Sequence, residues 1–256
     1  FMVISVALGA ALAAQGVDPA MLLKPPTDSW PTYHGDYTGQ RHTKLSAITP
    51  ANVHQLTLAW AFQTGQTQQL KMSPVLVNGV IYLTAPDNVW AIDARDGREL
   101  WRYYWKTKGG THIGNRGAAM WRNYLFFETP DNYLVSLDAR TGKERWHVEI
   151  ADFDQQYFST MAPVVIDNHV LVGTGNDLDS PGFLQSYDPE TGKRNWIFYT
   201  VPMKPGDPGL ETWPNLDTAR HGGGQVWIPG SYDPETKYYI FGTGNPTPGY
   251  TGVPSF

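Results

Sequence analysis

VWAIDARDGRELWR (residues 89–102), LVSLDARTGKERWH (134–147) and LQSYDPETGKRNWI (184–197) are three copies of one unit. Each is an apolar run, a turn of the form Asp-x-x-Thr/Asp-Gly-Lys/Arg, and a second run ending in tryptophan. Asp93, Asp138 and Asp188 correspond, 45 and 50 residues apart, and Trp101, Trp146 and Trp196 keep the same offset. A shorter relative, SYDPETKYYI (231–240), places Asp233 another 45 residues on. One turn and two strands cannot bury a sheet, so the units must stack. A period in the forties is that of four-stranded propeller blades, each packed on its neighbour around a central axis. The expected fold is therefore all-β, a β-propeller with about four blades between Trp30 and Phe256. The recurring tryptophan is read as a ring that locks one blade against the next, not as part of a binding site.

Composition agrees. With 26 Gly, 20 Pro and only 17% charged residues in 256, the chain is punctuated for many short strands and not for long helices. A net charge of -5 with no basic run leaves no footprint for nucleic acid. The absence of cysteine excludes disulfides, thiol catalysis, c-type haem attachment and zinc–cysteine sites within these residues. The seven histidines are scattered with no i,i+4 pair, and there is neither a P-loop nor a GxGxxG opening a helix. Locally, residues 19–23 and the Thr49-Pro50 region suggest short helices, the latter followed by a strand over 57–63, and residues 164–172 read as one strand.

The chemistry concentrates in HGGGQVWIPGSYDPETKYYIFGTGNPTP (221–248). The apolar run 238–241 reads as a strand stopped by Gly242-Thr243-Gly244-Asn245-Pro246. Asn245 then sits where a rigid strand gives way to a loop, a place from which an amide oxygen can be aimed at a cation. Glycines 222–224 would let a flat ligand approach the backbone, and Trp227 offers it a face. A ring platform beside a hard oxygen ligand suggests a planar cofactor carried with a metal.

This stretch resembles the quinoprotein dehydrogenases, periplasmic enzymes that hold pyrroloquinoline quinone (PQQ) on a metal ion. The resemblance begins at WPTYHGDYTGQRHTKLSAITPANVHQLTLAWAFQTG (30–65) and runs to FGTGNPTP (241–248). That family closes its ring with eight blades, so residues 30–256 are expected to be the N-terminal half of a propeller, cut off at the C-terminus. A half ring leaves a sheet face and an edge uncovered, which predicts poor solubility. Residues 15–29 form a lead segment. The apolar FMVISVALGAALAA (1–14), with Ala11-Leu12-Ala13 as a cleavage pattern, fits part of a secretory signal that has lost its charged front end. The expected location is periplasmic.

The resemblance assigns residues. Arg116, in Asn115-Arg116-Gly117, would pair with a PQQ carboxylate; Thr160 would hydrogen-bond the cofactor; Gly175 and Asn176 would offer backbone N–H groups to its edge; Trp227 would lie beneath the quinone. Asp177 and Asn245 would be the protein's ligands to Ca2+ or a lanthanide, Asp177 standing where the family has glutamate, with Asp179 as its competitor. Taken one at a time, these residues also fit blander roles: an inter-blade ion pair for Arg116, a strand-edge threonine for Thr160, plain turns for 173–183 and Asn245-Pro246. Two departures stand out. Gly110-Thr111 occupy the place of a cysteine pair that covers the quinone in many family members, and Lys71 stands where a glutamate is common. Lys71 would pair with a PQQ carboxylate or point into solvent.

The implied function is oxidation of an alcohol or sugar by hydride transfer to the quinone, with electrons passed to a periplasmic acceptor such as a cytochrome c. The family's catalytic base is an aspartate of a later blade, expected beyond Phe256, so no catalytic residue is named and the fragment alone is expected to be inactive. The competing expectation is a non-catalytic propeller scaffold of the outer-membrane assembly type, which would lack the tryptophan platform and need a lipidation cysteine. A WD-repeat propeller fits less well, because its GH and WD dipeptides do not recur.

Overall fold

The structure, a computed structural model, describes residues 16–24, 27–66, 69–176 and 178–247. The proposed signal at 1–14 and the proposed ligand Asp177 lie outside the described residues. The first sheet is β1 (Val75–Val77), β2 (Val80–Ala85), β3 (Asn88–Asp93) and β4 (Glu99–Tyr104). The second is β5 (Ala119–Trp121), β6 (Tyr124–Glu128), β7 (Tyr133–Asp138) and β8 (Glu144–Glu149). The third is β9 (Val164–Ile166), β10 (His169–Gly173), β11 (Phe183–Tyr187) and β12 (Arg194–Tyr199). All three are antiparallel, with strands paired in chain order. A two-stranded ribbon, β13 (Ser231–Asp233) and β14 (Tyr238–Ile240), follows the short helix α1 (Leu216–Arg220).

Sequence alternation explains how the sheets stack. In the second sheet, Leu125 and Phe127 of β6 and Val135 and Leu137 of β7 join the core shared with the first sheet. Phe126 and Leu134, one residue out of phase, join the core shared with the third. Period-two side chains buried on both faces give these strands their near-continuous apolar run. The outer strands β4, β8 and β12 consist of exposed and half-buried residues instead, β12 being exposed at all but one position.

The repeated turn is built the same way in each sheet. The carboxylate of Asp138 accepts from the N–H groups of Arg140 and Thr141, and that of Asp188 from Glu190 and Thr191. Gly97, Gly142 and Gly192 each donate to the carbonyl of their turn's aspartate and take φ of 75°, 69° and 71°. A ring covers each glycine: a Cβ would come within 2.5 Å of Trp60 at Gly97, 2.6 Å of Trp101 at Gly142 and 2.8 Å of Trp146 at Gly192. Trp60 and Trp101 also donate from Nε1 to the carbonyls of Ala94 and Ala139, at 3.1 and 3.0 Å. At the third turn Arg145 takes the matching carbonyl, that of Pro189, and the buried Nε1 of Trp146 has no partner. Trp60, Trp101 and Trp146 are therefore inter-blade locks, whereas Trp196 is exposed and covers no described glycine.

Three local expectations change. Residues 164–172 form two strands, β9 and β10, joined by a tight turn in which Asp167 has φ 51°. Residues 57–63 form no strand; Trp60 anchors that segment by docking on Gly97, and no sheet edge pairs with it among the described residues. The Asp233 turn joins β13 to β14, the pair that follows Trp227 and precedes Asn245. It thus corresponds to the first hairpin of a sheet, whereas the Asp93, Asp138 and Asp188 turns join third strands to fourth. The described residues hold three complete four-stranded sheets and one hairpin, not four complete blades.

Candidate functional site

The segments that lead into the first strand of each sheet are tied to one another. Ser73 donates its N–H to the Arg116 carbonyl at 3.0 Å, and Arg116 donates to the Thr160 carbonyl at 3.1 Å. Ser73 and Gly117 form a parallel bridge. Lys71, Arg116, Thr160 and Trp227, each a few residues ahead of β1, β5, β9 or β13, thereby reach one mouth. The segments that follow β10 and β14 bring Gly175, Asn176 and Asn245 to it. All seven line a single cavity of about 810 Å³. Its described lining contains Lys71, His112 and Arg116 but no Asp or Glu.

Along its wall, the Arg116 guanidinium lies over the Trp227 ring, 4.6 Å from the centroid. Arg116 also donates to the Thr160 hydroxyl, and that hydroxyl faces the Trp227 carbonyl at 3.5 Å. Arg116 makes no ion pair among the described residues. Burial pushes its pKa down, partly offset by Tyr33 and Glu128. The group stays charged, so the shift expresses a cation short of solvent.

Trp227 keeps 38% of its surface exposed, enough to offer a ring face. Gly244 is what permits its position, since a Cβ there would lie 2.9 Å from the indole Nε1. The glycine triplet has a different task from the one its composition suggested. Gly222–224 do not line the cavity: Gly223 (φ 78°) bridges to Pro246, Gly224 donates to the Asn245 carbonyl at 3.1 Å, and a Cβ on Gly223 would meet that carbonyl at 2.7 Å. The triplet holds the Asn245 loop rather than a ligand. Asn245 itself is exposed to the cavity.

Two assignments need correction or refinement. The Gly175 N–H already donates to the Phe158 carbonyl at 2.7 Å, so that donor is committed to the fold and not held for a cofactor. A Cβ at Gly175 would lie 2.2 Å from the Phe158 ring, so the glycine is there to admit an aromatic side chain. Asn176 is buried, and its side chain closes a turn by accepting from Leu178 N–H and donating to the Gln155 carbonyl. Asp179 is engaged through its carbonyl, which His221 Nδ1 contacts at 2.7 Å, and its carboxylate is not among the cavity's described lining.

Sequence patterning missed Phe158 and Glu128. Phe158 carries no motif, and its role shows only once the bridge to Gly175 is formed. Glu128 ends β6 with no solvent exposure, and one carboxyl oxygen accepts from Met161 N–H at 3.2 Å. Burial raises its pKa well above the carboxylate range, against the lowering influence of Met161, Gly173 and Arg116. Its carbonyl accepts from Asn115 Nδ2 at 2.8 Å, so it braces both the Arg116 and the Thr160 segments from behind.

An unpaired guanidinium, a half-exposed indole and a hydroxyl, in a cavity without described carboxylates, suit a flat aromatic anion. PQQ has that chemistry, and these residues fit it. For a metal the described residues offer the Asn245 amide, and no cluster of three or more His, Cys, Asp or Glu side chains occurs among them.

Comparison with known proteins is consistent with this chemistry. Residues 30–254 match the PQQ family, glucose/ethanol/alcohol dehydrogenase, beta-propeller domain. The chain is 38% identical to the quinohemoprotein alcohol dehydrogenase ADH IIB of Pseudomonas putida, over 93% of this chain and 37% of that protein. It is 35% identical to the quinoprotein alcohol dehydrogenase PedH of Pseudomonas putida, over 82% and 39%. The crystal structure of the quinohemoprotein alcohol dehydrogenase from Comamonas testosteroni superposes with a TM-score of 0.82 at 33% identity, covering 93% of this chain and 39% of that one. A europium-containing methanol dehydrogenase gives 0.79 at 28% identity, over 89% and 44%. The chain thus spans less than half the length of these relatives, and its own place is plain: it belongs to the PQQ family of glucose, ethanol and alcohol dehydrogenase β-propeller domains.

Proposed function

We propose that this chain supplies the PQQ-holding part of a periplasmic dehydrogenase that oxidises a small alcohol or sugar. The observation that carries the proposal is the convergence of Arg116, Thr160 and Trp227 in one cavity with Asn245 at its edge. When bound with its metal, PQQ supplies an electron sink for a hydride equivalent from the alcohol carbon. Trp227 gives the quinone a floor, and Arg116 exchanges its place over the indole for a bidentate pair with a carboxylate. Thr160 offers a hydroxyl at the same wall. Asn245 supplies an amide oxygen to Ca2+ or a lanthanide, with Asp177 as the charged second ligand. No lining residue is assigned the role of general base, and a metal-bound carboxylate such as Asp177 would be a poor one. A periplasmic electron acceptor such as a cytochrome c completes the cycle. The leader-like residues 1–14 support export.

The test is retention. Protein incubated with PQQ and calcium, then desalted, should keep a quinone absorbance, and Asp177→Ala or Asn245→Ala should lose the calcium-dependent part of it while the far-ultraviolet circular dichroism is unchanged. Absence of retention by the wild type would favour a non-catalytic propeller.

A further inference from the structure

We propose that Lys71 acts with Arg116 as a second cationic contact, so that the cavity recognises its ligand through two separated carboxylates. This rests on the function proposed above and extends it to a residue that inverts the charge common in the family at that place.

Both side chains line the same cavity. The Lys71 stem runs against Gly114, where a Cβ would come within 2.8 Å of Cγ and 2.9 Å of Cδ. Glycine at 114 therefore leaves the channel along which the lysine enters, two residues ahead of Arg116. The hydrogen bond from Ser73 N–H to the Arg116 carbonyl and the Ser73–Gly117 bridge fix the two segments in register, so both side chains start from a shared backbone frame.

Neither cation forms a salt bridge among the described residues, and no described carboxylate lines the cavity. Two positive charges lining one cavity raise the local concentration of anions and favour a ligand that brings more than one. Their chemistry divides the work. Arg116 is half-buried and planar, suited to one carboxylate in a fixed orientation, while Lys71 is exposed, a point charge on a flexible stem that can meet a second. PQQ, with three carboxylates on a rigid ring system, can span both.

The test is calorimetric titration of the protein in calcium-containing buffer with PQQ, and separately with quinoline-2-carboxylate as a single-carboxylate probe. At low ionic strength Lys71→Gln should weaken PQQ binding about fivefold and Lys71→Glu roughly twentyfold, with both losses shrinking in high salt. Quinoline-2-carboxylate should bind wild type and Lys71→Gln alike. Wild-type binding of PQQ with unchanged affinity in Lys71→Gln would overturn the inference and leave the proposed function standing. Failure of the wild type to bind PQQ at all would overturn both.

Discussion

The Arg116 guanidinium rests 4.6 Å from the centroid of the Trp227 indole, on a face that a stacked ligand would need. Without an anion, the cation–π contact gives a desolvated charge some of what a carboxylate would give it. Ligand entry would then exchange one partner for another at both residues.

Trp227→Ala removes the platform and leaves the fold, because the ring is part-exposed and belongs to none of the buried core clusters. PQQ affinity should fall by about 2 kcal/mol, roughly thirtyfold, from lost stacking and burial. Calorimetry measures the affinity, and an unchanged melting temperature would confirm that the loss is local.

Arg116→Lys keeps the charge and loses the planar fork. Binding of PQQ should weaken about tenfold, and Arg116→Ala should weaken it further. Equal affinity of Arg116→Lys and wild type would show that charge alone matters at this position.

Gly223→Ala tests whether the triplet positions Asn245. The residue lies outside the cavity, has φ 78° and would drive a Cβ to 2.7 Å from the Asn245 carbonyl. Calcium-dependent PQQ retention should drop to near that of Asn245→Ala, although no ligand atom is removed. Retention at the wild-type level would separate the triplet from the metal loop.

Glu128 gives a pH dependence with a definite sign. Its folded-state pKa is raised by burial above the ordinary value, about 4.3 in unfolded chains, so the folded state holds the proton more tightly. The associated stability is fully present below that unfolded-state value and is lost as pH rises toward the folded-state pKa. Glu128→Gln cannot ionise and should flatten this decline, with a higher melting temperature than wild type at pH 8 and little difference at pH 4. Parallel curves for the two proteins would assign the decline to other groups.

Gly142→Ala probes the blade lock. The residue has φ 69° and a Cβ there would strike Trp101 at 2.6 Å, so both backbone and packing object. A loss of about 3 kcal/mol is expected, similar to Trp101→Ala, read from denaturant midpoints. Because both changes abolish the same contact, the double variant should cost less than the two singles together.

These residues also show what a sequence discloses and what it hides. The Asp-turn-Gly-Trp unit reveals the sheets because each of its residues answers a local demand: a carboxylate for the turn's N–H groups, a glycine for positive φ, a ring to cover that glycine. The same local likeness misleads at Asp233, where an identical Asp-Pro-Glu-Thr run closes the first hairpin of its sheet. The order of strands is a tertiary property that the turn does not carry. Arg116, Thr160, Trp227 and Asn245 were named through the family resemblance, and the structure adds that the four line one cavity. The glycine triplet, Gly175 and Glu128 could not be read correctly, since their partners Asn245, Phe158 and Met161 are distant in the chain or carry no pattern.

The central claim is that PQQ stacks on Trp227 with Arg116 turned toward a carboxylate, and a crystal structure of the protein soaked with PQQ and calcium tests it most directly. The quinone ring should lie parallel to the indole, with the guanidinium moved off that ring into the plane of the ligand and the metal in contact with the Asn245 amide oxygen. A ligand bound elsewhere, with Arg116 still seated over Trp227, would contradict it.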